Sequence, residues 1–385
     1  MQFSEIVGHQ GIIQPLIRNV KEGRIAHAQL FHGHEGIGKL NLAIAYAQYI
    51  CCTDRRENDS CGVCPSCAKF RKLAHPDLHF AFPIINTSKS SGSSVCDDFV
   101  NVFRSFCVEK QYFRYDDWMK EISGENNKQG LIYAAEGDEI IKKLSRKTFE
   151  SDYKIMIIWL PEKMNDTAAN KLLKILEEPF ENTVFLLVSN TPDKLLSTIL
   201  SRTQQLFIPN LTENEIFAAL INDKKLELDE EKARYLARIA NGSITTALSA
   251  IDENDESRQN FDRFVFVMRK AWEVGNKKDY NALRELRDWS EKIAKLTRVQ
   301  QINFLKYTQY LLRENFVMHL QQPKLNILTN YENDFSTRFY TFINEKNIEQ
   351  FMLEFALAER HIEQNVNAKM VFFDIALKII VLLKH

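Results

Sequence analysis

Two groups of residues in this chain have the types and spacing that carry chemistry. The first is Gly33-x-x-Gly36-x-Gly38-Lys39, within GHEGIGKLN at 33 to 41. Such a loop holds phosphate: its glycines let successive backbone N–H groups approach the oxygens, and its lysine offsets their charge. Hydrolysis needs more. A Ser or Thr hydroxyl directly after the lysine completes Mg²⁺ coordination, and here that position is Leu40, which has no oxygen to offer. Acidic residues are also needed at the end of a later strand, to hold the metal and polarise water. The candidate strand at 153 to 160 ends Trp159-Leu160-Pro161-Glu162, so two apolar residues stand where an Asp-Glu pair belongs and Glu162 lies beyond a proline, aimed elsewhere. These residues predict a phosphate loop that does not hydrolyse. Gly33, Gly36, Gly38 and Lys39 are left as a vestigial nucleotide site, with ATP binding an open question.

The second group is Cys52-x8-Cys61-x2-Cys64-x2-Cys67. Four thiolates suit a closed tetrahedral Zn²⁺ site, and the two x2 spacings let one short turn present three ligands. Cys51 could stand in for Cys52, but the x8 spacing favours Cys52. With every position filled by the chain, the site is structural rather than catalytic. Free thiols are the alternative reading.

Both groups require elements that position them. AQLFHG at 28 to 33 is a short apolar run ending in glycine, and LNLAIAYAQYI after Lys39 has helical spacing, which gives the strand, loop, helix order a phosphate loop needs. YKIMIIWL at 153 to 160 and TVFLLVSN at 183 to 190 suit buried parallel strands, with the helix-like DTAANKLLKILEEP between them, and TQQLFIP closes the series at Pro209. This alternation predicts a doubly wound α/β core over 1–208, with the zinc module at about 51–68. TSKSSGSSV at 87 to 95 reads as a flexible loop, whereas DDFVNVFRSF and EGDEIIKKLSRKTFE read as helices. Beyond Pro209 the strand signals fade. Thr212 and Glu215 form a capping box ahead of IFAALI, and Phe261, Phe264, Val265, Met268 and Trp272 form a helical stripe of the kind that is ordinarily core. A small helical domain over 209–255 and a larger one over 256–385 are expected.

Composition narrows the function classes. The chain has 385 residues, 45% of them hydrophobic, enough for two or three domains. Its 50 basic and 51 acidic residues leave a formal charge of -1, so the footprint of a stand-alone DNA-binding protein is missing and contact with nucleic acid must be local or shared. No export signal opens the chain. The apolar run MVFFDIALKIIVLLKH near its end is too short to span a bilayer and carries Asp374 and Lys378 at i,i+4. A cytoplasmic protein with a buried C-terminal helix and no membrane partner is expected.

One further residue draws its meaning from company. Arg202, in Ser201-Arg202-Thr203, follows a helix, where an arginine is ordinarily solvated or salt-bridged. Together with FSEIVGHQ, GRIAHAQLFHGHEGIGK, the four-cysteine module, HPDLHF at 75 to 80, NKLLKILEEP at 170 to 179 and NGSITTAL at 241 to 248, it resembles the clamp-loader subunits of bacterial DNA polymerase III. These are AAA+ proteins, and the likeness is greatest to their delta prime branch. The motifs cover roughly the first 250 residues in family order.

The resemblance implies an AAA+ core, a helical lid and a helical collar that joins gamma/tau ATPase subunits and a delta subunit in an open five-membered ring, which loads the sliding clamp on primed DNA in replication. It implies that Leu40, Trp159-Leu160 and Thr245 stand where hydrolysing subunits carry a hydroxyl, two carboxylates and a lid arginine. It also implies that Arg202 acts as an arginine finger in trans, with Thr203 where the family has Cys. The segment from about 85 to 145 departs from the family pattern. Three rival readings are an active gamma/tau-type ATPase, a zinc-dependent DNA-binding module, and a ring component in which Arg202 is inert.

Overall fold

The computed structural model describes all residues except 87–93, 125–128, 224, 225, 227, 253, 323, 324 and 385. The expected flexible loop at 87 to 95 therefore lies mostly outside the described residues. The chain forms two compact units, Met1–Leu248 and Ser249–His385.

The first unit is built on five parallel strands: β1 (Ala28–His32), β2 (Leu78–Ala81), β3 (Lys154–Trp159), β4 (Thr183–Ser189) and β5 (Gln204–Phe207), in the order β2-β3-β4-β1-β5. Every residue of β3 and β4 is buried, as expected of strands covered on both faces, whose sequences run apolar without alternation. β1 pairs with β4 on one side and β5 on the other, and the chain then crosses to β2 at the far edge. Sheets of this kind bind ligands beyond the carboxyl ends of their strands, where the direction of crossing reverses. Residues 33–38 leave β1 at that place. The helix Lys39–Cys51 that follows is buried along its whole length, so the sheet and its cover fix the loop from both ends.

Between β2 and β3 the chain forms the helices Val100–Lys110, Tyr115–Ser123 and Ala134–Leu144. An aromatic cluster joins the first two to the sheet. Phe82 stacks on Phe103 with ring centroids 3.9 Å apart, Trp118 meets Phe103 edge-on at 5.1 Å, and the Trp118 indole N–H donates to the Pro83 carbonyl at 2.8 Å. After β5 come Glu213–Asn222, Glu230–Ile239 and Ile244–Asp252. The first of these is capped as its sequence predicts: Thr212 Oγ1 accepts from the Glu215 N–H at 3.2 Å, and the Glu215 carboxylate accepts from the Thr212 N–H at 2.8 Å.

The second unit is helical: Asn254–Trp272, Tyr280–Ala294, Arg298–His319, Asn330–Phe339, Ile348–Glu363 and Ala368–Leu382, with short turns between. Phe264 and Met268 of the predicted stripe are buried in its core, and Phe261, Val265 and Trp272 pack against the same cluster. The last helix buries Phe372, Ile375 and Ile379, while Lys378 pairs with Asp374 at 2.8 Å and Glu354 at 2.7 Å. Among the described residues no helix is long and apolar enough to cross a membrane.

Candidate functional site

The phosphate loop keeps its shape. Gly36 (φ +80°) and Gly38 (φ +87°) take backbone angles that other residues avoid, and Gly38 opens the helix as its first cap residue. Lys39, however, points back into its own loop: its ammonium donates to the Gly33 carbonyl at 2.9 Å and also to that of His34. Burial pulls its pKa down to about 8, against the charges of Glu35 and Glu162. Leu40 is buried, and so is Trp159 at the end of β3. Neither brings an oxygen to the place where a metal would bridge phosphates. Glu162 is turned to the end of β4, where its Oε1 accepts from the N–H groups of Asn190 (2.8 Å) and Thr191 (3.2 Å). Its charge still reaches Lys39, which the sequence alone did not suggest.

Two further segments close on the loop. Thr245 donates its backbone N–H to the Gly36 carbonyl at 3.2 Å, and a Cβ added to Gly36 would lie 1.9 Å from Thr245 Oγ1. Gln111, Tyr112 and Phe113 line the remaining hollow together with Lys39, Asn41 and Trp159, and leave only about 30 Å³ within it.

The four predicted cysteines meet. Their sulfurs lie within 4.8 Å of one another, with Cys52–Cys61 at 3.7 Å, Cys61–Cys67 at 3.9 Å and Cys52–Cys64 at 4.0 Å. A tetrahedron with Zn–S bonds of about 2.3 Å has S···S edges of about 3.8 Å, so the donor set fits that ion in kind and size. The local backbone prepares it. Cys61 Sγ accepts from the N–H groups of Val63 (3.4 Å) and Cys64 (3.2 Å), and Cys64 Sγ caps the helix Pro65–Phe70 by accepting from the Cys67 N–H at 3.4 Å. At Cys64 burial works against the thiolate, but the hydrogen bonds to its sulfur outweigh it and bring the pKa down to about 6. Cys51 stays out of the group: it is buried in the sheet domain's core, and burial pushes its thiol up to about 12. The module also anchors the first residues, because the Asp59 carboxylate accepts from the N–H groups of Phe3 and Ser4, each at 3.0 Å.

Arg202 follows the short helix Ser197–Leu200, just before β5. Its guanidinium is about one-third exposed and pairs with Glu177 at 2.6 Å, while Nη1 donates to the Thr198 carbonyl at 3.0 Å. Glu177 ends the helix Asp166–Glu177. Neither Glu177 nor the Tyr112–Arg114 stretch was singled out by sequence. The available signals were the doubled glutamate of LEEP and a run, QYFRYDDW, too aromatic for a solvated loop.

Comparison with known proteins bears on these features together. Residues 8–212, more than half of the chain, match the family model described as DNA polymerase III, delta subunit. The chain belongs to this family. Among curated members of the clamp-loader group it is 29% identical over 260 residues to the DNA polymerase III subunit delta' of Bacillus subtilis, covering 67% of this chain and 64% of that protein. It is 29% identical over 254 residues to subunit tau of Escherichia coli, covering 65% of this chain and 32% of that protein. The chain thus spans just under two thirds of the first relative and about one third of the second. A gamma subunit-related protein of Thermotoga maritima aligns over 95% of this chain and 98% of its own at 15% identity, with a TM-score of 0.38. In this family member the glycine-rich loop, the cysteine cluster and Arg202 all lie in the first compact unit.

Proposed function

We propose that this clamp-loader family member is a delta prime-type subunit of DNA polymerase III that does not hydrolyse ATP itself and completes the active site of a neighbour. The observation that carries the reading is a phosphate loop in which both metal-holding positions are buried apolar side chains, Leu40 and Trp159. In this reading residues 1–208 form the AAA+ core, 209–255 the lid and 256–385 the collar. The partners are gamma/tau-type ATPase subunits and a delta subunit in a five-membered ring that loads the sliding clamp on primed DNA in the cytoplasm. Cys52, Cys61, Cys64 and Cys67 hold a structural Zn²⁺, which supplies folding energy to the module and no catalysis.

Arg202 acts across the interface. A guanidinium in a dry pocket neutralises charge that develops on the transferring phosphoryl group, and in other enzymes such a finger contributes about 10³- to 10⁵-fold in rate. Two features support this role for Arg202: it is partly exposed, and its carboxylate partner Glu177 is exposed as well. Exposed pairs of that kind are worth about 0.2–1 kcal/mol, so a phosphate on an adjoining subunit can displace Glu177 at little cost.

The test is ATP turnover, stimulated by DNA and clamp, in a ring rebuilt from this chain and its organism's ATPase and clamp-opening subunits, with wild type set against Arg202→Ala. Size-exclusion shows that the variant still assembles. A large fall in turnover with assembly intact supports the finger; an unchanged rate leaves the chain as scaffold. Turnover by the isolated chain would instead make it a gamma/tau-type ATPase.

A further inference from the structure

The segment joining the helices Val100–Lys110 and Tyr115–Ser123 runs through the place where a phosphate loop receives its nucleotide. Tyr112 lies against the loop so closely that a Cβ on Gly38 would come within 2.9 Å of its ring, and its hydroxyl accepts from the Val7 N–H at 3.0 Å. Phe113 packs edge-on against Trp159, with ring centroids 5.3 Å apart, and against Phe106 at 4.7 Å. Arg114 donates to Thr246 Oγ1 at 2.7 Å, and the Tyr115 N–H donates to Glu35 of the loop at 3.3 Å. The hollow left over, about 30 Å³, compares with roughly 300–1,000 Å³ for a small-molecule site.

We propose that residues 111–115 are a resident occupant of the phosphate-loop crevice, so that this chain takes no nucleotide rather than binding one and failing to hydrolyse it. Three features make the occupancy a built one. The segment is tied down at both ends, by the helix carrying Phe103 and Phe106 and by the helix carrying Trp118, all buried. It touches the crevice on four sides: the segment ahead of the helix Gln10–Lys21 through Val7, the loop through Glu35 and Gly38, the end of β3 through Trp159, and the Ile244–Asp252 helix through Thr246. Finally, the residues at the positions of lost catalytic groups are themselves part of the seat. Trp159, at the place of a carboxylate, receives Phe113, and Leu40 lines the same hollow.

The mechanism is competition for one volume. An occupant seated about 99% of the time weakens apparent nucleotide affinity about 100-fold, because only the vacated fraction is competent. The proposal is independent of Arg202: it is read by equilibrium binding to the isolated chain, whereas the finger is read by turnover of the assembled ring.

The experiment titrates full-length protein with fluorescent mant-ATP in the presence of Mg²⁺, comparing wild type, Arg114→Ala, the triple variant Tyr112→Gly/Phe113→Gly/Arg114→Gly, and that triple variant carrying Lys39→Ala. A thermal melt of each identifies which variants are folded. The expected result is no saturable binding by wild type at millimolar nucleotide, a partial gain in Arg114→Ala, a gain of about 100-fold or more in the triple variant, and its loss again with Lys39→Ala. Saturable binding by the wild-type chain overturns the proposal, and that measurement needs no variant. A folded triple variant that binds no better than wild type overturns it equally, since something other than the segment would then exclude the nucleotide.

Discussion

At the scale of single residues, Lys39 shows how a loop lysine behaves when it turns back on its own backbone. Its ammonium is buried, donates to two carbonyls of its own loop, and has its pKa drawn from the ordinary 10.5 to about 8. A lysine depressed in this way binds fewer protons in the native than in the unfolded state between those two values, so stability rises with pH across that interval. Below about pH 8 the cost of burying the charge is felt in full. Lys39→Met removes the effect. Denaturant unfolding at several pH values should show wild type gaining on Lys39→Met by on the order of 2–3 kcal/mol between pH 8 and the unfolded lysine value. A difference that stays flat with pH would mean the lysine is solvated in solution. The Arg202–Glu177 pair belongs to the same scale. Because both side chains are partly exposed, Glu177→Gln is expected to change stability by less than about 1 kcal/mol, measured by the same unfolding, while leaving the guanidinium free to meet an anion.

At the scale of elements, the parallel strands β1, β3 and β4 were legible because strands covered on both faces are written as apolar runs, and the helix Lys39–Cys51 because it follows a glycine loop at helical spacing. β2 was not: four residues, LHFA, with His79 among them, carry too little apolar periodicity to stand out. The four clustered cysteines were legible from spacing alone, since three of them come from one short turn and Cys52 lies only nine residues ahead of the first. The 111–115 segment was opaque for the opposite reason, because its partners lie as far away in sequence as Val7 and Thr246, and nothing in a single chain's periodicity reports such distances.

Two expectations test these elements. Metal analysis of the purified chain should give a single Zn²⁺, and Cys64→Ser or chelation should lower the thermal midpoint and loosen residues 2–5, which hang from Asp59; a metal-free chain with an unchanged midpoint would leave the cluster as free thiols. Trp118→Ala should cost about 3–5 kcal/mol, as for other fully buried aromatic side chains, and its loss should also loosen the neighbouring turn that fills the crevice. Urea unfolding measures the first effect and amide exchange of residues 112–115 the second.

At the scale of the whole molecule, each compact unit has a core of its own, one wrapped around the sheet and one made where helices meet through Phe264, Phe304, Phe351 and Phe372. Residues 249–385 expressed alone should therefore give a helical circular-dichroism spectrum and a cooperative thermal transition; a broad, non-cooperative melt would show that this unit depends on the rest of the chain. The near-balance of 50 basic against 51 acidic residues provides no long-range attraction to nucleic acid, in keeping with the shared contact proposed above.

The aromatic seat of the crevice has an optical consequence. The chain has four tryptophans, and the two in the first unit, Trp118 and Trp159, both belong to the cluster that holds Phe103, Phe106 and Phe113. The tryptophan emission of that unit thus comes from Trp159, which lines the crevice, and Trp118, which packs on the aromatic rings behind it. Any withdrawal of the segment, whether by mutation, by a partner or by temperature, will be written as a red shift and a change in quenching, and the unlabelled protein becomes its own probe of whether the site is shut.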